Sequence, residues 1–437
     1  MKKIVILGGG ESGCGAAVLA KKQGFNVFVS DSSEIKKNYK DLLESYKISW
    51  EEGSHSYSKI LDADIIIKSP GIPEKAEIIK KIVDLDIELI DEIEFASRYT
   101  DAKLICITGS NGKTTTVSLI FHILKYAGLN VSYAGNIGKS LALQVAENDY
   151  DYYVVELSSF QLDRMFSFKA DFAAIMNITP DHLDRYEYDI NLYTRSKFRI
   201  SRNMKEDDLF LYSSENKLSA ENLNYISGNP ETIAFKIDSE DALKVTYNSR
   251  DFSIDKRSLP LKGKHNLYNY TVAIYASLFL GIEDDLLKES LLSFMPIAHR
   301  LESVDYINGI EFINDSKATN VDSCWYALDA MNKPVIWIAG GVDKGNDYSL
   351  IADLVKEKVK VLICLGEYYE KLDSAFKDIV PKIYKIQNLD SLMEICLNEG
   401  EEGDVVLLSP CCASFDLFAS YIDRGNQFKD LIQKNKE

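Results

Sequence analysis

The chain has no C-x-x-C pair among its seven cysteines, and their odd number in 437 residues argues against a disulfide scaffold. They read as small, buried, apolar residues of a reduced compartment. There is no apolar run approaching the ~20 residues that a membrane-spanning helix needs. Positive charge is in deficit: 67 acidic against 50 basic side chains leave a formal charge of −17. Such a field repels nucleic acid and anionic membrane, so neither is an expected partner. An anionic small substrate requires local basic residues within this acidic protein. Low-complexity tracts and short-period repeats are also missing. MKKIVILGGG begins with basic residues and a short apolar run, but Glu11 and a helical pattern follow, so it reads as a first strand rather than a signal peptide. A cytoplasmic location is the expectation.

What is present is globular: 46% of residues are hydrophobic, 27% are charged, and prolines number 9. This length corresponds to two to four domains at roughly 100–200 residues each. KIVILGG, a helical stretch from Ser12 to Gln23 and NVFVSDS form a strand–helix–strand opening. ADIIIKSPG is another buried strand, and DIELIDEIEFASRY closes the region. A fresh strand starts at Lys103 and runs into a glycine loop and a helix stopped by Gly128. YYVVE and AAIMNI read as further strands, residues 205–260 as short strands and loops, and HNLYNYTVAIYASLFLGI as a helix. After residue 298 four apolar runs, in IEFINDSKATN, PVIWIAGGVDKG, VKVLICLG and DVVLLSPCCASFDLF, end in Gly, Asp or Ser. Alternation of this kind predicts an α/β protein of three consecutive domains, 1–97, 98–297 and 298–437. The outer two are expected to be Rossmann-like and the central one a P-loop-type ATPase.

The sequence ITGSNGKTTT places Gly109, Gly112, Lys113 and Thr114 in a near match to the phosphate loop G-x-x-x-x-G-K-[ST]. Ile107 stands where that pattern has its first glycine. The physics survives the mismatch, because glycines let backbone N–H groups converge on an anion and the following helix presents its positive end. Lys113 can reach the outer phosphates, and the Thr114 hydroxyl can join a Mg²⁺ shell. The competing reading is a plain strand-to-helix turn whose lysine faces water. A triphosphate site also calls for a carboxylate at the end of a nearby strand, and Glu156, closing YYVVE, fits; its alternative is an ordinary polar strand end.

Gly8, Gly10 and Gly13 follow the first strand in G-x-G-x-x-G form, and Asp31 ends the second. This is the pattern of a dinucleotide-binding dehydrogenase, yet the same turn holds any diphosphate. An NAD-dependent oxidoreductase therefore stays open at this point, although it leaves Lys113 and Thr114 unused. So does a non-catalytic nucleotide-binding module.

In order along the chain stand ITGSNGKTT, ELSSFQL, NITPDHLDRY, KGKHNLYN, AHRLE, NDSKATN, GGVDKG and SPCCASFDLFASYIDRGNQF. With these the chain resembles the Mur ligases over essentially its whole length, and ELSSFQL and the C-terminal block are most like the branch that adds D-glutamate. The resemblance implies an ATP-dependent ligase of peptidoglycan synthesis that acts on UDP-N-acetylmuramoyl-L-alanine. It implies transfer of the γ-phosphoryl of ATP to a carboxylate, attack on the acyl phosphate by the amine of D-glutamate, and release of ADP and phosphate.

By the same resemblance Gly109, Ser110, Asn111, Gly112, Lys113, Thr114 and Thr115 hold the ATP phosphates, while Asn269 and Asp315 approach adenine and ribose. Arg300 and Lys317 reach phosphates from the third domain, which closes over the others. Glu11, Ser12, Asp31 and Gly71 surround the uridine diphosphate, with Asn136 and Gln161 on the sugar nucleotide. Thr319, Lys344, Ser414, Phe415 and Tyr421 form the D-glutamate site. Two Mg²⁺ ions are implied, with Thr114 and Glu156 on one and His182 on the second. Lys197 in YTRSKFRI is implied to be carbamylated by CO₂ and to stand beside the metals. Read without the resemblance, His182 is a structural histidine, Lys197 a surface lysine, Arg300 an ion-pair partner and Ser414 a helix cap. A monomer is the expected state.

Three positions depart from the family pattern: Ser110 where Thr is frequent, Tyr421 in place of Phe, and Ser33 where some members carry a basic residue. A member adding diaminopimelate would bring a DNPR-like motif, which is absent, and a folate-type ligase would lack the first glycine-rich domain.

Overall fold

The structure is a computed structural model that describes residues 2–238, 240–295 and 298–436. The expected boundary at residue 297 lies outside the described residues. The chain divides into two compact units, residues 1–178 with 189–294, and residues 179–188 with 295–437.

In the first unit β1 (Lys3–Leu7), β2 (Asn26–Ser30), β3 (Ser49–Glu51), β4 (Ile65–Lys68) and β5 (Glu88–Ile90) form a parallel sheet in the order β3-β2-β1-β4-β5. The order reverses at β1, so its C-terminal end, where Gly8 begins the first glycine loop, opens on the crevice that such sheets use for ligands. The helix Glu11–Lys22 starts from that loop.

The same unit contains β6 (Lys103–Thr108), β7 (Val131–Gly135), β8 (Tyr152–Glu156), β9 (Phe172–Ile175), β10 (Leu209–Ser213) and β11 (Glu231–Phe235). They pair in parallel in the order β11-β10-β9-β6-β8-β7, with the reversal at β6. β12 (Ala242–Tyr247) and β13 (Arg250–Asp255) form a separate antiparallel hairpin. Residues Leu104 to Thr108 and Tyr153 to Glu156 are buried without interruption, as strands covered on both faces must be.

The second unit has a sheet of β14 (Glu302–Ile307), β15 (Ile310–Asn314), β16 (Val335–Gly340), β17 (Val359–Leu365), β18 (Lys382–Ile386) and β19 (Val405–Cys411), ordered β14-β15-β19-β16-β17-β18. Its edge departs from the expected parallel pattern, because β14 and β15 are an antiparallel hairpin while the other pairs are parallel. Along β16 the side chains alternate: Val335, Trp337 and Ala339 enter one core, and Ile336 and Ile338 the other. The Trp337 indole, fully buried, donates to the Ser409 carbonyl at 2.8 Å, which satisfies its only donor.

All seven cysteines are free and buried. Burial pushes the Cys14, Cys364 and Cys396 thiols up to about 12 and Cys412 to about 11. Among the described residues no helix is long and apolar enough to cross a membrane.

Within the first unit the two sheets are joined by buried carboxylates. Glu94, fully buried on the helix Glu92–Ser97, accepts from the backbone of Phe166 at 3.0 Å, Ser167 at 3.1 Å and Phe168 at 2.8 Å, and from the Ser167 hydroxyl. Arg98 adds a charged contact at 2.8 Å. Nearby, Glu92 is buried with few charge partners, and desolvation pushes its carboxyl up to about 7.

Two predictions arise from this interior. Glu94→Ala strips the partner from three backbone amides and should lower unfolding stability by about 2–4 kcal/mol in urea titrations. Between the ordinary glutamate value and about 7, folded Glu92 keeps a proton that the unfolded chain releases. Stability should therefore fall as pH rises across that window, and Glu92→Gln should flatten this part of the Tm–pH curve.

Candidate functional site

The loop after β6 is shaped by what its backbone must do. Ser110 N–H donates to the Asn177 carbonyl at 2.9 Å, and Asn111 N–H to the Asn177 side-chain oxygen at 2.9 Å. Both bonds strap the loop to the end of β9. Gly112 caps the helix Lys113–Tyr126 with φ of +85°, and a Cβ there would lie 2.6 Å from Asn269 Oδ1. The cradle is thus one that any larger residue would fill. Lys113 curls over it, donating to the carbonyls of Gly109 at 2.7 Å and Ser110 at 2.8 Å. Thr115 is buried in the first helical turn. Asn269 is buried on the helix Lys264–Phe279 and accepts from the Thr116 hydroxyl at 3.1 Å.

Glu156 closes β8, the strand beside β6, and is buried. The Thr114 hydroxyl donates to its Oε2 at 2.8 Å, and Asn136 Nδ2 to its Oε1 at 2.8 Å. A hydroxyl and a carboxylate side by side at a helix start are suited to a small hard cation. Among the described residues no group of three or more His, Cys, Asp or Glu converges as a metal cage. Phosphate and water would therefore have to complete the shell, which is the usual habit of Mg²⁺.

Lys197 is not a surface lysine. It is 1% exposed on the helix Ile190–Phe198, donates to the Gly109 carbonyl at 2.9 Å and lies 4.4 Å over the Tyr193 ring. Tyr193 also meets the Ser110 hydroxyl at 3.2 Å. Sequence reasoning overlooked Tyr193 and Asn177. The first stands four residues before Lys197 on one helical face, and that spacing was the available signal.

At the first glycine loop Asp31 accepts from Gly9 N–H at 2.6 Å and from Ser33 N–H at 2.8 Å, so it shapes the turn. Glu11 opens the helix and accepts from the Tyr39 hydroxyl at 3.1 Å and Ser140 N–H at 3.3 Å. Ser12 is half-buried beside it, and Gly71 is exposed in the turn after β4. Gln161 is buried in a reciprocal capping box with Ser158.

The remaining expected residues belong to the second unit. His182 has a left-handed backbone, φ 53°, and its Nε2 lies 3.7 Å from Asp181. Asp181 also receives Lys344 at 3.1 Å and Asn320 at 3.2 Å. Lys344 follows β16 and Ser414 follows β19, neighbours at the reversal point of this sheet. Their loops are zipped by Val342 N–H to the Ala413 carbonyl at 2.8 Å and the return bond at 3.1 Å. Ser414 is buried and does not cap a helix; Ser420 caps the helix Tyr421–Lys434. Phe415 is exposed, Thr319 is half-buried, and Tyr421 meets Lys317 through its hydroxyl at 3.3 Å.

Asp315 directly follows β15 and is buried. Burial pushes its carboxyl up to about 7 against the Ser409 hydroxyl bond at 2.9 Å and the Arg300 charge. Arg424, which the sequence reading missed, lies buried behind it and donates to the Ser316 hydroxyl at 2.9 Å and carbonyl at 2.8 Å.

Three family models match: the MurD N-terminal domain over residues 3–78, the Mur ligase middle domain over 107–277, and the Mur ligase glutamate ligase domain over 299–412. The chain is 51% identical to the UDP-N-acetylmuramoylalanine–D-glutamate ligase of Bacteroides thetaiotaomicron, over 99% of this chain and all of that one. It is 47% identical to the enzyme of that name from Christiangramia forsetii, over 99% of each. The fold is also that of the UDP-N-acetylmuramate–alanine ligase crystal structure from Thermotoga maritima, with a TM-score of 0.62, 19% identity and full coverage of both chains.

Gly112→Ala combines a left-handed backbone with a contact against Asn269. It should weaken binding of a magnesium–nucleotide triphosphate by about 10- to 100-fold, read by calorimetry on the folded variant.

Proposed function

The chain belongs to the Mur ligase family, whose members are ATP-dependent, and on that premise we propose that it joins D-glutamate to UDP-N-acetylmuramoyl-L-alanine in peptidoglycan synthesis. One observation carries the chemistry: the Thr114–Glu156 pair at the mouth of a glycine cradle that also holds Lys113 and the buried Lys197. Full-length relatives named for this reaction support the choice of amino acid.

A carboxylate resists attack by an amine, so it is first activated. Its oxygen attacks the γ-phosphorus, the bond to the β-phosphate oxygen breaks, and ADP leaves. The amine of D-glutamate then attacks the acyl carbon, phosphate departs with the C–O bond electrons, and the nitrogen loses a proton. Both steps concentrate negative charge on the transferred group. Lys113 and the amides at the start of the helix Lys113–Tyr126 would offset that charge from fixed positions. Thr114 and Glu156 would hold one Mg²⁺, and His182 a second; the ions would neutralise phosphate charge.

The Lys197 amine, held at the Gly109 carbonyl, would add to CO₂, forming an N–C bond and releasing a proton. The product keeps one N–H for that carbonyl and presents a carboxylate. Asn269 and Asp315 would bind adenosine, and Arg300 and Lys317 phosphate. Glu11, Ser12, Asp31, Gly71, Asn136 and Gln161 would hold the sugar nucleotide. Thr319, Lys344, Ser414, Phe415 and Tyr421 would recognise D-glutamate, for which the Lys344 ammonium is the natural carboxylate partner. The domains proposed for these roles are 1–97, 98–297 and 298–437, in a cytoplasmic monomer.

Phosphate release from ATP should depend on both UDP-N-acetylmuramoyl-L-alanine and D-glutamate, and L-glutamate or meso-diaminopimelate should not replace the latter. Release without D-glutamate dependence would overturn the assignment. Lys197→Ala should lose activity by about 100-fold or more. Short carboxylic acids should restore part of it, and a complete lack of rescue would count against the carbamate.

A further inference from the structure

The chemistry above makes no use of Glu92, a buried glutamate at the head of the helix Glu92–Ser97. Its Oε1 accepts from the Ser140 hydroxyl at 2.7 Å and from Ala142 N–H at 2.5 Å. These donors lie at the start of the helix Leu141–Glu147, on the far side of the joint between the two sheets of the first unit. A buried carboxylate is stable only where donors reach it, so this one fixes where the helix begins.

Ser140 is a junction. Its N–H donates to Glu11 Oε1 at 3.3 Å, at the first glycine loop, while its hydroxyl donates to Glu92. Four residues earlier, Asn136 holds Glu156 from two sides: its N–H donates to the Glu156 carbonyl at 2.8 Å and its side chain to Glu156 Oε1 at 2.8 Å. The space for Ser140 is provided by Gly15 on the helix Glu11–Lys22, where a Cβ would lie 2.0 Å from the Ser140 hydroxyl.

We propose that Glu92 is a positioning residue that, through Ser140 and the 136–140 loop, couples occupancy of the first glycine loop by the sugar nucleotide to the placement of Glu156 at the magnesium–nucleotide site. This rests on the functional reading above. Glu11 faces the ligand of the first loop, and a shift of Glu11 moves Ser140. Because the Ser140 hydroxyl is pinned on Glu92, the movement passes along the short loop to Asn136 rather than dissipating. Asp91 on the same helix and Glu11 on its neighbour are the other charged groups facing Glu92. An acceptor oxygen, and not a negative charge, is what the contact requires.

The test is a binding cycle on the full-length protein by calorimetry, using a magnesium–nucleotide analogue with and without UDP-N-acetylmuramoyl-L-alanine. In the wild type the sugar nucleotide should tighten nucleotide binding by about 5-fold or more, and reciprocity requires the same factor in the other order. Glu92→Leu and Ser140→Ala should bring that factor close to unity, while Glu92→Gln, which keeps an acceptor oxygen, should restore it. Ser140→Ala removes only a hydroxyl and serves if Glu92→Leu does not fold. A coupling factor unchanged in Ser140→Ala would overturn the proposal, as would a wild type that binds both ligands independently. A wild type that binds the nucleotide but never the sugar nucleotide would overturn the functional reading, and the coupling with it.

Discussion

Glu156 is a carboxylate in the interior, and each of its oxygens is held by a side chain from a different segment: Thr114 from the loop helix and Asn136 from the loop after β7. Removing such a group from water costs several kcal/mol unless donors replace the lost hydration. The folded chain meets that demand by bringing two loops to the end of one strand, so a single acidic residue sets the spacing between them. The location is a consequence of topology. β6 is where the strand order of the central sheet reverses, and its neighbour β8 delivers Glu156 to the same edge.

The same device recurs wherever chain segments must be fastened. Glu94 gathers three consecutive amides at Phe166 to Phe168, Asp91 caps the helix that carries it, and Glu92 receives the start of another helix. The net charge of −17 is therefore not only a coating. Part of it is inside, where carboxylates act as acceptors for backbone groups that lack a partner in strand or helix. Two of these groups, Glu92 and Asp315, are held near neutrality in their titration by burial.

Much of this was readable before folding. Uninterrupted apolar runs marked the parallel strands, glycines marked the turns at their ends, and Glu156, closing YYVVE, was singled out as the carboxylate beside the glycine loop, where Thr114 meets it. The edge strands β14 and β18 escaped because ESVDYI and KIYKI are mostly half-exposed and carry no apolar run. Tyr193 and Asn177 escaped because their roles depend on approach to a loop far away in sequence. DEIE was read as the close of a region, since nothing in four adjacent residues says that their carboxylates will be buried by a segment some fifty to seventy positions onward. Lys197 shows the opposite failure: composition makes a lysine a surface residue, and only the fold places it against the Gly109 carbonyl. The segment 179–188, which carries His182, associates with the second unit although it lies amid the first in sequence.

The seven shielded thiols have a practical corollary. A maleimide or similar reagent finds almost no sulfur to attack while the chain is folded, because every thiol is buried out of its reach. Native cysteines thus form a silent background. An engineered surface cysteine could carry a fluorophore or spin label without first deleting them, and any slow reaction of the parent protein would time the opening of its interior.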